Sequence, residues 1–167
     1  MNPKSRAAIL GIFVAASAFG QELKLTVGNG SVTVLVFLST VCPVSASYSP
    51  RLSDLYRDYA DKGVKFVFAN SNQNEPAGAA GYPFPVYKDV GNVLADRFGA
   101  RYTPESFVID GAGKVRYHGR IDDAQNPARV TRNSLRLAID AVLAGREVAQ
   151  PETKAFGCTI KRVRKAS

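Results

Sequence analysis

The sequence predicts an α/β domain in which a central mixed β-sheet is flanked by helices. Three observations carry that expectation. Residues 31–38, SVTVLVFL, are nearly all apolar and rich in β-branched side chains, as in a strand buried on both faces. Residues 31–70 read strand, helix, strand, the order of a right-handed parallel crossover. Beyond the Gly-Ala-Gly turn at 111–113, KVRYHGR (114–120) alternates apolar and polar residues, as an antiparallel edge strand does.

The chain is long enough for one domain with a real core, at 167 residues. A composition of 46% hydrophobic and 22% charged residues excludes a disordered or fibrous polymer. Lys4 and Arg6 precede the apolar run AAILGIFVAASA (7–18), with small residues for cleavage near Ala18, so residues 1–20 read as a secretory signal peptide. Its removal lowers the formal charge from +8 to +6, because Lys4 and Arg6 go and no acid goes with them. Left uncleaved, the segment would tether the protein to a membrane. The remaining charges are spread out. Only KRVRK (161–165) is dense, and without interleaved aromatic residues it reads as a solvated tail with no nucleic-acid role.

The domain is expected over 21–150. After the first strand, Cys42 meets Pro43 at the start of a helix, where the missing N–H of proline does no harm. Residues 46–63 carry Leu52, Leu55, Tyr56 and Tyr59 at helical spacing, with a kink or a late start expected at Pro50 and a stop at Gly63. VKFVFAN (64–70) is the second core strand, 71–82 a polar loop, and 90–100 a short helix with Val93, Leu94 and Phe98 inward. RYTPESFVID (101–110) is a strand entered through Thr103-Pro104. Asp122-Asp123 reads as the loop approaching a helix at 131–145, with Leu135, Leu137, Ile139, Val142 and Leu143 on its apolar face. Residues 151–167 have no helical period and form an extended arm carrying Cys158.

Cys42 and Cys158 are the whole cysteine complement, the smallest possible disulfide framework for an exported chain. A permanent structural bridge and a working redox pair both fit. A thiol at a helix N-terminus faces unpaired N–H groups that favour the thiolate, which makes Cys42 the nucleophile candidate. Ser45, one turn further on, holds a hydroxyl able to donate to a thiolate where a Cys-x-x-Cys motif would hold its second sulfur.

The segments FLSTVCPVSASYSP, NSNQ, FPVYKDVGNVLADRFGARYTPESFVID, RYHGRIDD and TKAFGCTIKR resemble the bacterial redoxins of the AhpC/TSA-related, thioredoxin-like group, over about residues 31–164. The resemblance implies a thioredoxin-like fold and a cis proline at Pro104, preceded by Thr103 and packed against Cys42. It implies an exported thiol oxidoreductase without a cofactor: Cys42 attacks a disulfide in a protein or small thiol substrate, Cys158 resolves the adduct, and a thiol reductant restores the pair. The peroxidase members carry Pro-x-x-x-Thr-x-x-Cys. Here Leu35 replaces the proline, Ser39 the threonine, and Pro104 stands about where their arginine belongs, so disulfide exchange is favoured over peroxide reduction. Arg101 and Arg120 read as surface charges. Copper-delivery relatives pair two close cysteines with a histidine; His118, on an expected edge strand, reads as an exposed polar residue, and no metal site is expected. The non-enzymatic alternative is a binding module that keeps the disulfide as a staple.

Overall fold

The apolar run at 31–38 becomes strand β1 (Thr33–Phe37), the centre of a five-stranded sheet. The structure, a computed structural model, describes residues 29–78 and 81–164. The expected signal peptide, residues 1–20, lies outside the described residues. Strand β2 (Lys65–Asn70) pairs parallel with β1, Thr33 beside Lys65 and Phe37 beside Ala69. On the other side the strand Glu105–Ile109 lies antiparallel. The chain reaches it through β3 (Tyr87–Lys88), which extends the sheet beyond β2, and β4 (Tyr102–Thr103), which lies outside it. In β5 (Glu105–Ile109), Ile109 faces Thr33 and Glu105 faces Phe37, and β6 (Val115–Gly119) closes that edge as a hairpin partner. The spatial order is β3-β2-β1-β5-β6, a mixed sheet as expected.

Every residue of β1 is buried because both faces are covered. The two-residue period of the pleat sends Val34, Val36 and Leu38 toward Leu52, Leu55, Leu135 and Ile139 on one side. It sends Leu35 and Phe37 toward Leu94, Ala95, Ala100 and Ile160 on the other. Each such side chain contributes about 1.5–3 kcal/mol on full burial.

The helices refine the sequence reading in three places. The helix expected over 46–63 is divided at Tyr48 into α1 (Pro43–Ser47) and α2 (Ser49–Tyr59). Pro50, in the first turn of α2, has no N–H to return to the carbonyl of residue 46, and the chain breaks just before it. Helix α3 (Val93–Phe98) begins late, because Gly91 and Asn92 take left-handed conformations. Val93 is therefore exposed, contrary to expectation, while Leu94 and Ala95 are buried. Helix α4 (Ser134–Leu143) buries Leu135, Ala138 and Ile139 and packs Val142 on the core, an i, i+3, i+4, i+7 stripe. Leu137 and Leu143 fall off that stripe and are exposed.

The chain after residue 150 follows the body closely. His118 N–H donates to the Pro151 carbonyl at 2.9 Å and Thr153 N–H to the His118 carbonyl at 3.0 Å, which covers the outer edge of β6. Beyond them β7 (Cys158–Thr159) pairs antiparallel with β4, Cys158 opposite Thr103. The stretch expected as a solvated basic tail is docked over its described part. Lys161 N–H donates to Asn72 Oδ1 at 2.8 Å, Val163 N–H to Asn92 Oδ1 at 2.7 Å, and Arg162 pairs with Asp96 at 3.3 Å. Asn72 and Asn92 are buried amides whose oxygens these backbone donors satisfy.

Candidate active site

Cys42 stands where β1 has ended and α1 begins, as the N-cap residue, with Pro43 the first residue of the helix. The strand delivers it, and a polar knot beneath it fixes the connecting loop. Ser39 Oγ accepts from the backbone N–H of Cys42 at 3.0 Å and donates to Glu75 Oε1 at 2.7 Å. The second carboxylate oxygen of Glu75 accepts from Thr40 N–H at 2.7 Å, Thr40 Oγ1 at 2.8 Å and Asn70 Nδ2 at 2.9 Å. Burial opposes the charge on Glu75, but these donors outweigh it and hold the carboxyl below its ordinary value. The threonine-replacing hydroxyl thus ties the cysteine's backbone to a buried carboxylate.

Glu75 lies in the polar stretch expected to be a plain loop, and nothing in the local sequence marks it. Its partners Ser39 and Thr40 are some 35 residues away in sequence. The same loop supplies Lys88 with two backbone acceptors, the carbonyls of Asn72 and, at 2.6 Å, Glu75. Burial pushes the Lys88 amine down while Glu75 and Asp89 pull it up.

Ser45 is fully buried and its hydroxyl is already committed. It accepts from Ser39 N–H at 3.1 Å and lies 2.8 Å from Tyr82 Oη, which itself donates to the Ser39 carbonyl at 2.9 Å. With the tyrosine proton spent, the Ser45 proton goes to Tyr82. The expected donation from this hydroxyl to sulfur gives way to one from the Ser45 backbone N–H, 3.5 Å from Cys42 Sγ. Tyr82, which the sequence reading passed over, is the post that locks Ser45.

The Thr103-Pro104 peptide is cis, and the Thr103 carbonyl oxygen lies 3.4 Å from Cys42 Sγ. The adjoining backbone is held by Glu105, whose carboxylate accepts from Arg101 N–H at 2.6 Å and Tyr102 N–H at 2.9 Å. Glu105 also meets His118 Nε2 at 2.8 Å, and the imidazole stacks on Phe107 with centroids 4.8 Å apart. His118 is therefore a partnered, half-buried side chain, not the exposed residue its edge position suggested. Arg120 Nε donates to Ser134 Oγ at 3.2 Å.

Cys42 and Cys158 are joined in a disulfide, with Cα atoms 6.1 Å apart and a sequence separation of 116. No other cysteine exists. Gly157 permits the approach: at φ +151 it runs so close to Thr103 that a Cβ would lie 2.1 Å from the Thr103 carbonyl oxygen. The two sulfur-bearing residues differ in access, Cys42 being 2% exposed and Cys158 lying at the surface. Asp122, expected as a plain approach loop, is buried and accepts from Tyr48 Oη at 2.8 Å and Arg51 Nη1 at 2.6 Å, tying α2 to the approach to α4.

Known proteins resemble this chain in sequence and fold to different extents. The thiol-disulfide oxidoreductase ResA of Halalkalibacterium halodurans is 28% identical over 108 residues, 62% of this chain and 61% of the relative. The chain thus spans about three-fifths of the length of the curated relatives it matches. An uncharacterized conserved protein of Geobacillus kaustophilus is structurally similar, with a TM-score of 0.73 and 34% identity, covering 84% of this chain and 82% of the other. A hypothetical protein of Sinorhizobium meliloti 1021 gives 0.72 and 33%, covering 83% of each chain. The family model described as the AhpC/TSA family matches residues 12–118, more than half the chain, with the strand, cysteine turn and cis-proline strand inside the match. The protein belongs to the AhpC/TSA family and has a thioredoxin-like fold.

Proposed function

We propose that this protein is a thiol–disulfide oxidoreductase whose redox pair is Cys42 and Cys158. The observation that carries the reading is the disulfide itself: it joins the N-cap cysteine beside cis-Pro104 to a C-terminal arm docked against that same proline loop. The two electrons of one turnover reside in the S–S bond, so the chemistry calls for neither metal nor cofactor. The substrate is a disulfide, in a protein or formed from a small thiol, which the reduced pair reduces, and a thiol reductant restores the pair. The ResA relatives carry the same activity in their name over the stretch that matches.

Peroxide reduction is less well supported, because among the described residues the polar neighbours of Cys42 Sγ are the Ser45 N–H and the Thr103 carbonyl, with no cation beside it. Export fits the disulfide, since such bonds form and persist in oxidising compartments, and Lys4, Arg6 and the apolar run that follows supply the address. N-terminal sequencing of the protein from its own cells is expected to start near Gln21, and an intact Met1 in the soluble fraction would refute cleavage.

Equilibration with graded glutathione or dithiothreitol buffers tests the redox reading. A working pair is expected to titrate above about −300 mV, where catalytic disulfides lie, and a lower midpoint would make it a permanent staple.

A further inference from the structure

We infer that the sulfur which meets the partner is that of Cys158, and that Cys42 is the buried thiolate released when the disulfide opens. The inference rests on the redox reading above and reverses the roles that the sequence suggested. A thiolate attacks a disulfide in line with the bond, from the side opposite the sulfur that departs. Attack on Cys42 would have to reach a residue only 2% exposed, whose sulfur already has the Thr103 carbonyl at 3.4 Å and the Ser45 N–H at 3.5 Å. Attack on Cys158 comes from the side facing away from Cys42, and Cys158 is exposed, as are its neighbours Gly157 and Thr159.

Two further observations fit this direction. The departing sulfur stays within reach of the Ser45 N–H, a donor that stabilises a thiolate, and a better-stabilised leaving group departs faster. The segment around Cys158 is basic. Lys154, Lys161 and Arg164 are exposed, and no acid follows Glu152 in the chain, so an incoming thiolate or an acidic partner surface is drawn toward this sulfur. The arm needs no disulfide to stay in place, being bonded through Thr153 on one side of Cys158 and through Ile160, Lys161 and Val163 on the other.

The step balances as an exchange. A partner thiolate bonds to Cys158 Sγ, the Cys42–Cys158 bond breaks, and its electron pair leaves on Cys42. The second thiol of a dithiol partner then attacks the partner's sulfur in the mixed disulfide and frees Cys158. The partner leaves as a disulfide, and the protein holds two thiols.

The test mixes the oxidised full-length protein with reduced glutathione, quenches with acid within seconds, alkylates free thiols and maps both cysteines by mass spectrometry. Glutathione is expected on Cys158 with the alkyl label on Cys42, in at least about tenfold excess over the reverse pattern. The reverse pattern, or equal amounts, would overturn the assignment of roles while leaving the redox reading intact. A disulfide that persists in the folded protein through excess dithiothreitol, with no adduct on either cysteine, would overturn both.

Discussion

At the scale of single residues the site depends on a carboxylate that never touches sulfur. Glu75 is a positioning residue: its two oxygens gather Ser39, Thr40 and Asn70, and Ser39 in turn holds the backbone N–H of Cys42. Replacing it by Gln puts an amide N–H₂ against one of these donors, so at least one buried hydrogen bond is lost, at a cost of about 1–3 kcal/mol. The carboxyl is held below its ordinary value of 4.5 in the folded state, so its stabilising contribution is complete above that pH and is lost as pH falls through the lower folded value. Denaturation midpoints from pH 7 down to pH 3 are therefore expected to fall more steeply for the native protein than for Glu75→Gln. Parallel curves would show that the carboxylate charge contributes nothing. A reactivity readout separates positioning from mere stability, since Glu75→Gln should also slow reduction of the disulfide by glutathione at pH 7, where both proteins remain folded.

At the scale of elements the decisive contact is the ribbon of β4 and β7, which places Cys158 opposite Thr103 and so beside Cys42. Short as it is, this ribbon works because Gly157 lets the arm descend onto the Thr103 carbonyl without a side chain in the way. In Gly157→Ala the new methyl group would have to lie where that oxygen is, and it would do so at a φ that side chains rarely adopt. The arm must lift locally, which moves Cys158 away from a partner fixed by the knot under Cys42. The expected result is a lower fraction of Cys42–Cys158 disulfide at a fixed glutathione ratio, by about tenfold in the equilibrium constant for each 1.4 kcal/mol of lost fit. Gly30→Ala is the control, since nothing lies within 4 Å of the added carbon there, though its φ of +89 carries a similar backbone penalty. An unchanged ratio in Gly157→Ala would mean that the arm is not held at this point.

At the scale of the whole molecule, what could be read from the sequence was whatever a local pattern encodes. The unbroken apolar run of β1, the crossover to β2, the hairpin at 111–113 and the two cysteines all announce themselves within a few residues. The locked hydroxyl of Ser45, the role of Glu75 and the docking of the last residues do not, because each is decided by a partner far away in the chain, whereas the helix limits at Tyr48 and Val93 are local, set by Pro50 and by the left-handed Gly91 and Asn92. The arm is the clearest case: its sequence has no period, and its place is set by backbone donors finding Asn72, Asn92 and Arg101 on the body. That has a consequence for stability. Closing a loop across 116 residues stabilises the fold by about 4–5 kcal/mol through chain entropy alone. Reduction or Cys158→Ser should remove up to that amount, yet the native arm should remain seated, because its hydrogen bonds on both sides of residue 158 survive the loss of the covalent link. A seated arm keeps the Cys158 thiol beside Cys42 at high effective concentration, so a mixed disulfide is short-lived and the pair closes again quickly. Hydrogen exchange on the reduced, folded protein measures this directly through the amides of Ile160, Lys161 and Val163, which donate to Arg101, Asn72 and Asn92. Protection at these three amides is expected to persist on reduction, falling no further than the global stability does. Selective loss of protection there, with the amides of β1 unchanged, would mean that the disulfide alone holds the arm and that each turnover releases it.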